Sequence, residues 1–451
     1  MKIKALHRSP SSHQIPGSTS SRQPRNLDPA LHPFERAREY TRALNATKLD
    51  RVFAAPFVAQ LGGGHVDGVY SLAKDPTALS RLASGAGDGV VKVWDLPARK
   101  ETWRARAHDN MVRGVCWTRD ARLLSCAADR TVKLFDPLRG GGAAAAAAPV
   151  ATFLGDAPFT AVSHHRSRPA FAASGGAAIS VYDTSRPSSA PAQTLRWPTS
   201  VDTITTVSLN QVEPSIAASA ATDRGVVLYD LRTDSALGRC VLTLQSNAIA
   251  WNPVEAFNFA VANEDHNAYV FDMRKMDRAL NVLRDHVAAV MDVEFSPTGE
   301  ELVTASYDRS IRLWNRDRGH SRDIYHTKRM QRVFSCRFTP DSAYVLSGSD
   351  DGNIRLWRSQ ASARAGAVQT ARQRQSLEYA DALKRRYAHM PEVRRIARHR
   401  HVPKTVKRAA AIKGEEVAAL KRKEENERRH TKKGKARRRS EREKMVLAVE
   451  E

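Results

Sequence analysis

From about residue 51 to residue 358 the chain is built of short runs in which apolar and polar residues alternate, and the runs recur in a fixed order. Alternation with a period of two is the pattern of half-buried β-strands, so this stretch predicts strands and no long helix. Seven segments share one plan: GDGVVKVWDL (87–96), ADRTVKLFDP (128–137), GGAAISVYDT (175–184), TDRGVVLYDL (222–231), EDHNAYVFDM (264–273), YDRSIRLWNR (307–316) and DDGNIRLWRS (350–359). The aromatics Trp94, Phe135, Tyr182, Tyr229, Phe271, Trp314 and Trp357 follow one another at intervals of 41 to 47 residues. Asp88, Asp129, Asp223, Asp265, Asp308 and Asp351 stand six positions before their aromatics, and only the third repeat has Gly176 there.

A period near 43 that ends in aromatic-Asp resembles the WD40 repeat, four strands per propeller blade. Small-residue strands precede the aromatics, as in LASG (82–85), LLSC (123–126), LVTA (302–305) and VLSG (345–348). Seven such repeats imply an all-β, seven-bladed WD40 propeller over residues 51–358. RVFAAPFVAQL (51–61) is the candidate for the outer strand that closes the last blade, which leaves few open sheet edges. His65, Ser84, Asp88 and Trp94 match the WD-repeat family's four-residue hydrogen-bond network, as do His286, Thr304, Asp308 and Trp314. The second repeat has His108, Ser125 and Asp129, but its Phe135 has no indole N–H to donate. Repeats 3, 4, 5 and 7 lack the His, so their blades are expected to be less tightly tied. His, Ser and Asp together are also the groups of nucleophilic hydrolysis. Their recurrence at the repeat spacing assigns them to bracing a turn in each blade instead. GGGAAAAAA (140–148) and SRPSSAPAQ (185–193) read as lengthened loops.

The two ends differ from this middle. Residues 1–24 are rich in Ser, Pro and Arg and are expected to be disordered. Over 25–50, Phe34, Ala37, Tyr40, Thr41 and Leu44 recur at helical spacing and predict a short helical arm. Residues 359–451 predict a mostly α-helical extension: a helix over 376–390, breaks at Pro391 and Pro403, then one long charged helix over 404–447. A sparse apolar stripe of Val406, Ala409, Ile412, Val417 and Leu420 runs along that last helix.

Charge changes the picture. The chain carries a formal +24, and by segment this is +5 for residues 1–50, +4 for 51–360 and +15 for 361–451. A basic end of this kind points to a polyanionic partner. Within it KKGKARRR, with Lys432, Lys433, Lys435, Arg437, Arg438 and Arg439, is a run of the kind used in nuclear import or nucleic-acid contact. Cys116, Cys126, Cys240 and Cys336 have no C-x-x-C spacing and read as buried free thiols in a reducing compartment. No apolar leader-like stretch and no window of 18 apolar residues occurs, so secretion and membrane spanning are not supported. No phosphate-binding loop, metal-ligand spacing or isolated acid-base pair is present, and no catalytic residue, metal or other cofactor is assigned.

Two longer stretches are more specific. NLDPALHPFERAREYTRALNATKLDRVFAAPF (26–57) and LKRRYAHMPEVRRIARHRHVPK (383–404) together resemble the Sof family, WD-repeat proteins with a C-terminal Sof domain. The resemblance implies a non-catalytic protein of the nucleus and nucleolus, in the small-subunit processome with the U3 small nucleolar ribonucleoprotein, serving the early pre-ribosomal RNA cleavages that yield 18S RNA. It further implies that Arg394, Arg395, Arg398, His399, Arg400, His401 and Lys404 meet RNA or an acidic protein surface, with Val393 and Ile396 as anchors. A metal site at His389, His399 and His401 is disfavoured, since no Cys accompanies them. Members of the family are also credited with a second role, as substrate receptors of a cullin-4 ubiquitin ligase, which carry Trp-Asp-x-Arg after a WD strand. Here Asp230 and Arg232 follow Tyr229, and Asp272 and Arg274 follow Phe271. An ordinary ion pair within each blade accounts for these residues equally well.

Overall fold

The computed structural model describes residues 29–138, 148–186, 190–362, 370–432 and 439–450. The disorder expected over 1–24 and most of the alanine-rich loop lie outside the described residues, as do Lys433, Lys435, Arg437 and Arg438 of the basic run. The chain divides into two compact units. One joins the chain up to Pro56 with Gln360–His401, and the other joins Phe57–Ser359 with the chain from Val402 onward.

The second unit is a seven-bladed β-propeller of seven antiparallel sheets. The first strands of successive blades lie side by side around the ring: Val69–Lys74, Val112–Trp117, Phe159–His164, Ile204–Leu209, Ser246–Trp251, Val290–Phe295 and Val333–Phe338, the last beside the first. Second and third strands are covered on both faces by the neighbouring blades, so nearly every residue of Arg81–Ala86 and Val90–Asp95 is buried. Outer strands alternate, as in Lys100–Arg106, where only Trp103 and Ala105 are buried. Close stacking of blades explains the small-residue second strand: a Cβ added to Gly85 would lie 2.6 Å from Val112 Cγ1 of the next blade.

Each repeated Asp has a local cause. Its carboxylate accepts the backbone N–H two residues on, at Val90, Thr131, Gly225, Asn267, Ser310 and Asn353. The residue between takes a positive φ in all six turns, glycine at 89 and 352 but Arg130, Arg224, His266 and Arg309 elsewhere. The Asp side chain thereby holds a left-handed turn that a non-glycine residue adopts only at a cost of about 1 kcal/mol. The third turn, which lacks the Asp, is one residue shorter and has Gly176 at φ +59.

Ring closure follows the expected plan in a shorter form. Phe57–Gln60 pairs antiparallel with Ile354–Arg358, Phe57 opposite Trp357. Arg51 and Val52, which the apolar pattern had grouped with this strand, finish a helix that Pro56 separates from it. Blades 6, 7 and 1 are also clasped by charge: Arg337 donates to Asp292 at 2.6 Å and to the Leu72 carbonyl at 3.1 Å, and Lys74 pairs with Glu294 at 2.8 Å.

Among the described residues the other unit holds a short 3-10 helix, Pro29–Leu31, and three α-helices, α1 (Glu35–Val52), α2 (Ala371–Arg386) and α3 (Pro391–Arg398), with α2 and α3 both packed on α1. A capping box between Thr370 and Gln373 starts α2, five residues before the start expected from its apolar positions. Pro391 begins α3 at the one helical position where a missing N–H is harmless.

The predicted long helix over 404–447 is corrected. α4 spans Lys404–His430, and Val446–Glu450 is a strand, added as a fifth member to the outer edge of blade 4. Glu450 pairs in register with Arg239 and Val449 with Cys240, while Met445 and Val446 enter the core between blades 4 and 5. The free edge of Ser235–Leu242 decides this: backbone donors there find partners in a segment too short to declare itself as a strand. The expected stripe on α4 is buried only at Val406, and Ile412 and Leu420 are about 60% exposed. No helix among the described residues is long and apolar enough to cross a membrane.

Candidate functional site

In the blade networks the sequence equates positions that the fold does not. In blade 6 the set is complete and buried: Trp314 Nε1 donates to Thr304 Oγ1 at 2.8 Å, Thr304 contacts His286 Nε2 at 2.6 Å, and His286 Nδ1 contacts Asp308 at 2.8 Å. An acceptor carboxylate at Nδ1 fixes the tautomer, so Nε2 receives the threonine proton. Burial lowers the pKa of His286. Burial also pushes the Asp308 carboxyl up, but His286, Ser310 and Arg312 outweigh it and hold the group at about 2. In blade 1 Trp94 donates to Ser84 and Ser84 contacts His65, yet Asp88 does not join: its carboxylate caps the turn at Val90, and His65 Nδ1 has no hydrogen-bond partner among the described residues. The expected four-membered network there is a three-membered one. Blade 2 keeps His108 with Ser125 and Asp129, and blade 7 ties Trp357 to Ser347 without any histidine. His286, Thr304 and Trp314 are fully buried, and a similar arrangement recurs from blade to blade, as bracing of turns requires.

The basic segment lies on α3 and its two flanks. Val393 is 2% exposed and Ile396 half-buried, so both anchor the helix as expected. Arg394, Arg395 and Arg398 fall on the other side and are exposed. Not all of the proposed contact residues project. Arg400 turns back onto the Ala397 and His399 carbonyls at 2.6 and 3.0 Å, which closes the C-terminal end of α3. Arg395 pairs with Glu392 at 2.8 Å, an exposed contact worth well under about 1 kcal/mol and easily exchanged. His399 and His401 are exposed, and Lys404 is exposed as the first residue of α4.

Four acidic groups in this helical unit, Glu39, Asp50, Asp381 and Glu392, are engaged from within. Buried Glu39 accepts from Tyr387 at 2.9 Å and pairs with Arg386 at 3.4 Å, and Lys384 bridges Asp50 and Asp381. Arg51 donates to the Ala397 carbonyl at 2.8 Å and joins α1 to α3. Exposed Arg385, Arg394 and Arg398 have no carboxylate within 4.0 Å among the described residues. Sequence reasoning placed Tyr387 and Lys384 on different sides of the 376–390 helix and did not single out Glu39 or Arg51; the pairing of these residues at sequence distances above 300 left no local trace. Replacing Glu39 with alanine removes a buried acceptor, and the expected loss is about 2 kcal/mol in the stability of this unit. Hydrogen exchange of α1 and α2 measures it, and unchanged protection would contradict the role given to Glu39.

The segment from Val402 onward leads into the propeller unit. Half-buried Lys413 of α4 donates to the His286 carbonyl at 2.8 Å and approaches Asn267, while Lys444 and Glu424 pair at 2.5 Å and Arg284 and Glu441 at 2.9 Å. Lys432 and Arg439 of the basic run are exposed. No group of three His, Cys, Asp or Glu spaced to hold a metal occurs among the described residues, the histidines of the basic segment included.

The Asp-x-Arg turns form ion pairs inside their own blades. Arg232 meets Asp230 at 3.3 Å and Arg274 meets Asp272 at 2.8 Å, with the arginine side chains 70% and 60% exposed. Hydrogen bonds from the arginines lower the pKa of both aspartates, and the Arg274 guanidinium also lies 4.2 Å from the Phe257 ring centroid.

Against known families, residues 359–446 match the Sof1-like domain, and residues 57–95, 99–136, 278–315 and 319–358 match the WD domain, G-beta repeat. Protein SOF1 of Saccharomyces cerevisiae is 48% identical over 452 residues, covering 95% of this chain and 91% of that protein. The chain belongs to the Sof1-like family. Protein sof1 of Schizosaccharomyces pombe is 50% identical over the whole of both chains, and DDB1- and CUL4-associated factor 13 of Danio rerio is 44% identical over the whole of both. In this Sof1-like chain the family segment is shared between two units: its first part folds with α1, and its last part, α4 and the terminal strand, belongs with the propeller.

Proposed function

We propose that this Sof1-like protein is a non-catalytic assembly factor of the small-subunit processome in the nucleolus, acting with the U3 small nucleolar ribonucleoprotein in the pre-ribosomal RNA processing that leads to 18S RNA. In this reading the propeller docks proteins and the helical unit contacts RNA. The observation that carries it is the set of exposed guanidiniums at Arg385, Arg394 and Arg398 in a unit whose Glu39, Asp50, Asp381 and Glu392 are engaged internally. An anion meeting this surface need not displace a resident carboxylate from those three, so its counterion-release gain is retained. Full-length identity to the two fungal SOF1 proteins supports the same assignment.

Ultraviolet crosslinking of the tagged protein in cells, followed by sequencing of the attached RNA, tests it. The expected result is crosslinks concentrated on U3 or the 5′ part of the pre-ribosomal transcript, reduced severalfold when Arg394, Arg395 and Arg398 become alanine. Crosslinks at background level would overturn the RNA contact.

A second reading, a substrate receptor of a cullin-4 ubiquitin ligase, is favoured by the exposed Arg232 and Arg274 and by relatives whose names state an association with DDB1 and CUL4. Loss of co-purifying ligase adaptor on replacing both arginines with alanine is its expected mark.

A further inference from the structure

The loops joining first to second strands occupy equivalent places in all seven blades and so share one face of the propeller. Their charges are segregated. Loops 118–122 and 165–169, of blades 2 and 3, hold Arg119, Arg122, Arg166 and Arg168 with one acid, Asp120. The equivalent loops of blades 4 to 7 hold Glu213, Glu255, Glu300 and Asp341 with no Lys or Arg. None of the four arginines has a carboxylate within 4.0 Å among the described residues. In a propeller of nearly balanced charge, four guanidiniums without a carboxylate partner among the described residues, gathered on two adjacent loops, mark a site.

A groove of about 430 Å³ opens at this place, lined by Arg119, Arg166, Ser167, Gln211, Val212 and Pro214. Its walls are held by side chains beneath them. His165 Nδ1 accepts the backbone N–H groups of Ser167 and Arg168 at 3.1 and 2.9 Å, which folds loop 165–169 so that Arg166 and Arg168 stay at the surface. Arg166 donates to the Gln211 carbonyl at 2.8 Å and spans blades 3 and 4. Asn210 accepts the backbone N–H groups of Val212 and Glu213 and donates to the Ala256 carbonyl at 2.9 Å.

We infer that this groove is a docking site for an acidic, extended peptide segment of a partner protein, with carboxylates on Arg119 and Arg166 and an aliphatic side chain on Val212 and Pro214. Charge complementarity selects an anionic partner, and the lining selects peptide over RNA. No aromatic ring lines the groove among the described residues, so unpaired bases meet no stacking platform in its lining. Val212 and Pro214 offer apolar surface that suits a peptide side chain and does little for a ribose-phosphate backbone. Glu213, between the lining residues Val212 and Pro214 in sequence, accepts from the Ser215 hydroxyl at 2.7 Å and disfavours a second acidic residue beyond the groove's blade 4 end.

The site is distinct from α3, so its test must separate the two basic surfaces. Full-length protein is photo-crosslinked to a peptide of alternating Glu and Val carrying a benzophenone, to the same peptide with Gln for Glu, and to a photoreactive oligouridine, and attachment points are mapped by mass spectrometry. The expected result is attachment of the Glu peptide within 118–122, 165–169 and 210–215. Arg119→Glu with Arg166→Glu should lower it at least about tenfold without changing attachment at α3, and Arg119→Lys with Arg166→Lys should retain part of it. Both pairs lie at the surface, and an unchanged melting temperature confirms that folding is intact. Attachment equal to that of the Gln peptide, attachment insensitive to charge reversal, or oligouridine in the groove in place of the peptide would each overturn the assignment.

Discussion

Replacing Asp308 with alanine lowers the free energy of unfolding by about 3–5 kcal/mol, whereas the same change at Asp88 costs about 1 kcal/mol. The two residues hold the same place in their repeats. Asp308, however, is buried and receives His286, the Ser310 hydroxyl and the Ser310 N–H, so its removal leaves several donors without an acceptor inside the blade. Among the described residues Asp88 receives the Val90 N–H alone. For a protein stable by about 5–15 kcal/mol, the first change is a large fraction of the whole and the second is not. Urea unfolding of the two variants, followed by tryptophan fluorescence, gives both values. Equal losses at the two positions would contradict the difference between the blades.

Stability should also fall as the solution is acidified from pH 7 to pH 5. Burial pushes His65 and His164 down to about 4 from an ordinary value near 6.5. Between those values the unfolded chain binds protons that the folded chain does not, so the stabilisation is present above about 6.5 and is lost as pH drops toward 4. At pH 5 the difference is about 2 kcal/mol for each histidine. His108, His165 and His286 are shifted in the same direction, also chiefly by burial, and add to the loss. Asp308 contributes in a lower window, from about 4 down to 2, as its carboxylate is protonated. Asp292 and Glu301, raised by burial, act in the opposite sense and offset part of the acid loss. Thermal melts at pH 7.5, 6.5, 5.5 and 5.0 should show a steady decline, and replacing His164 with glutamine should flatten it. A melting temperature independent of pH over this range would contradict buried neutral histidines.

The propeller was legible because its signal is local and repeated. An aromatic fills each blade, a small-residue strand lets blades approach, and an Asp caps six of the seven turns, so the pattern recurs with the blade. α3 was legible in part, through the resemblance, which implied Val393 and Ile396 as anchors and the arginines as contact residues; that Pro391–Arg398 forms a helix of its own was not expected. Which arginines stay exposed was not legible, because Arg400 is drawn back by carbonyls at the end of its own helix.

By itself, then, the sequence determined the blade count, the position of the closing strand, the helical character of the extension and the concentration of charge at the chain's ends, since each depends on periodicity or composition. Tertiary structure alone decided three other matters. It split the Sof1-like segment between two units, because Lys384, Tyr387 and Arg51 bind partners more than 300 residues away. It turned residues 446–450 into a strand, because an unpaired edge on blade 4 satisfies their backbone. It gathered Arg119 and Arg166 at one groove, because closing a ring brings loops 47 residues apart side by side, and no local pattern records which neighbours a closed ring will supply.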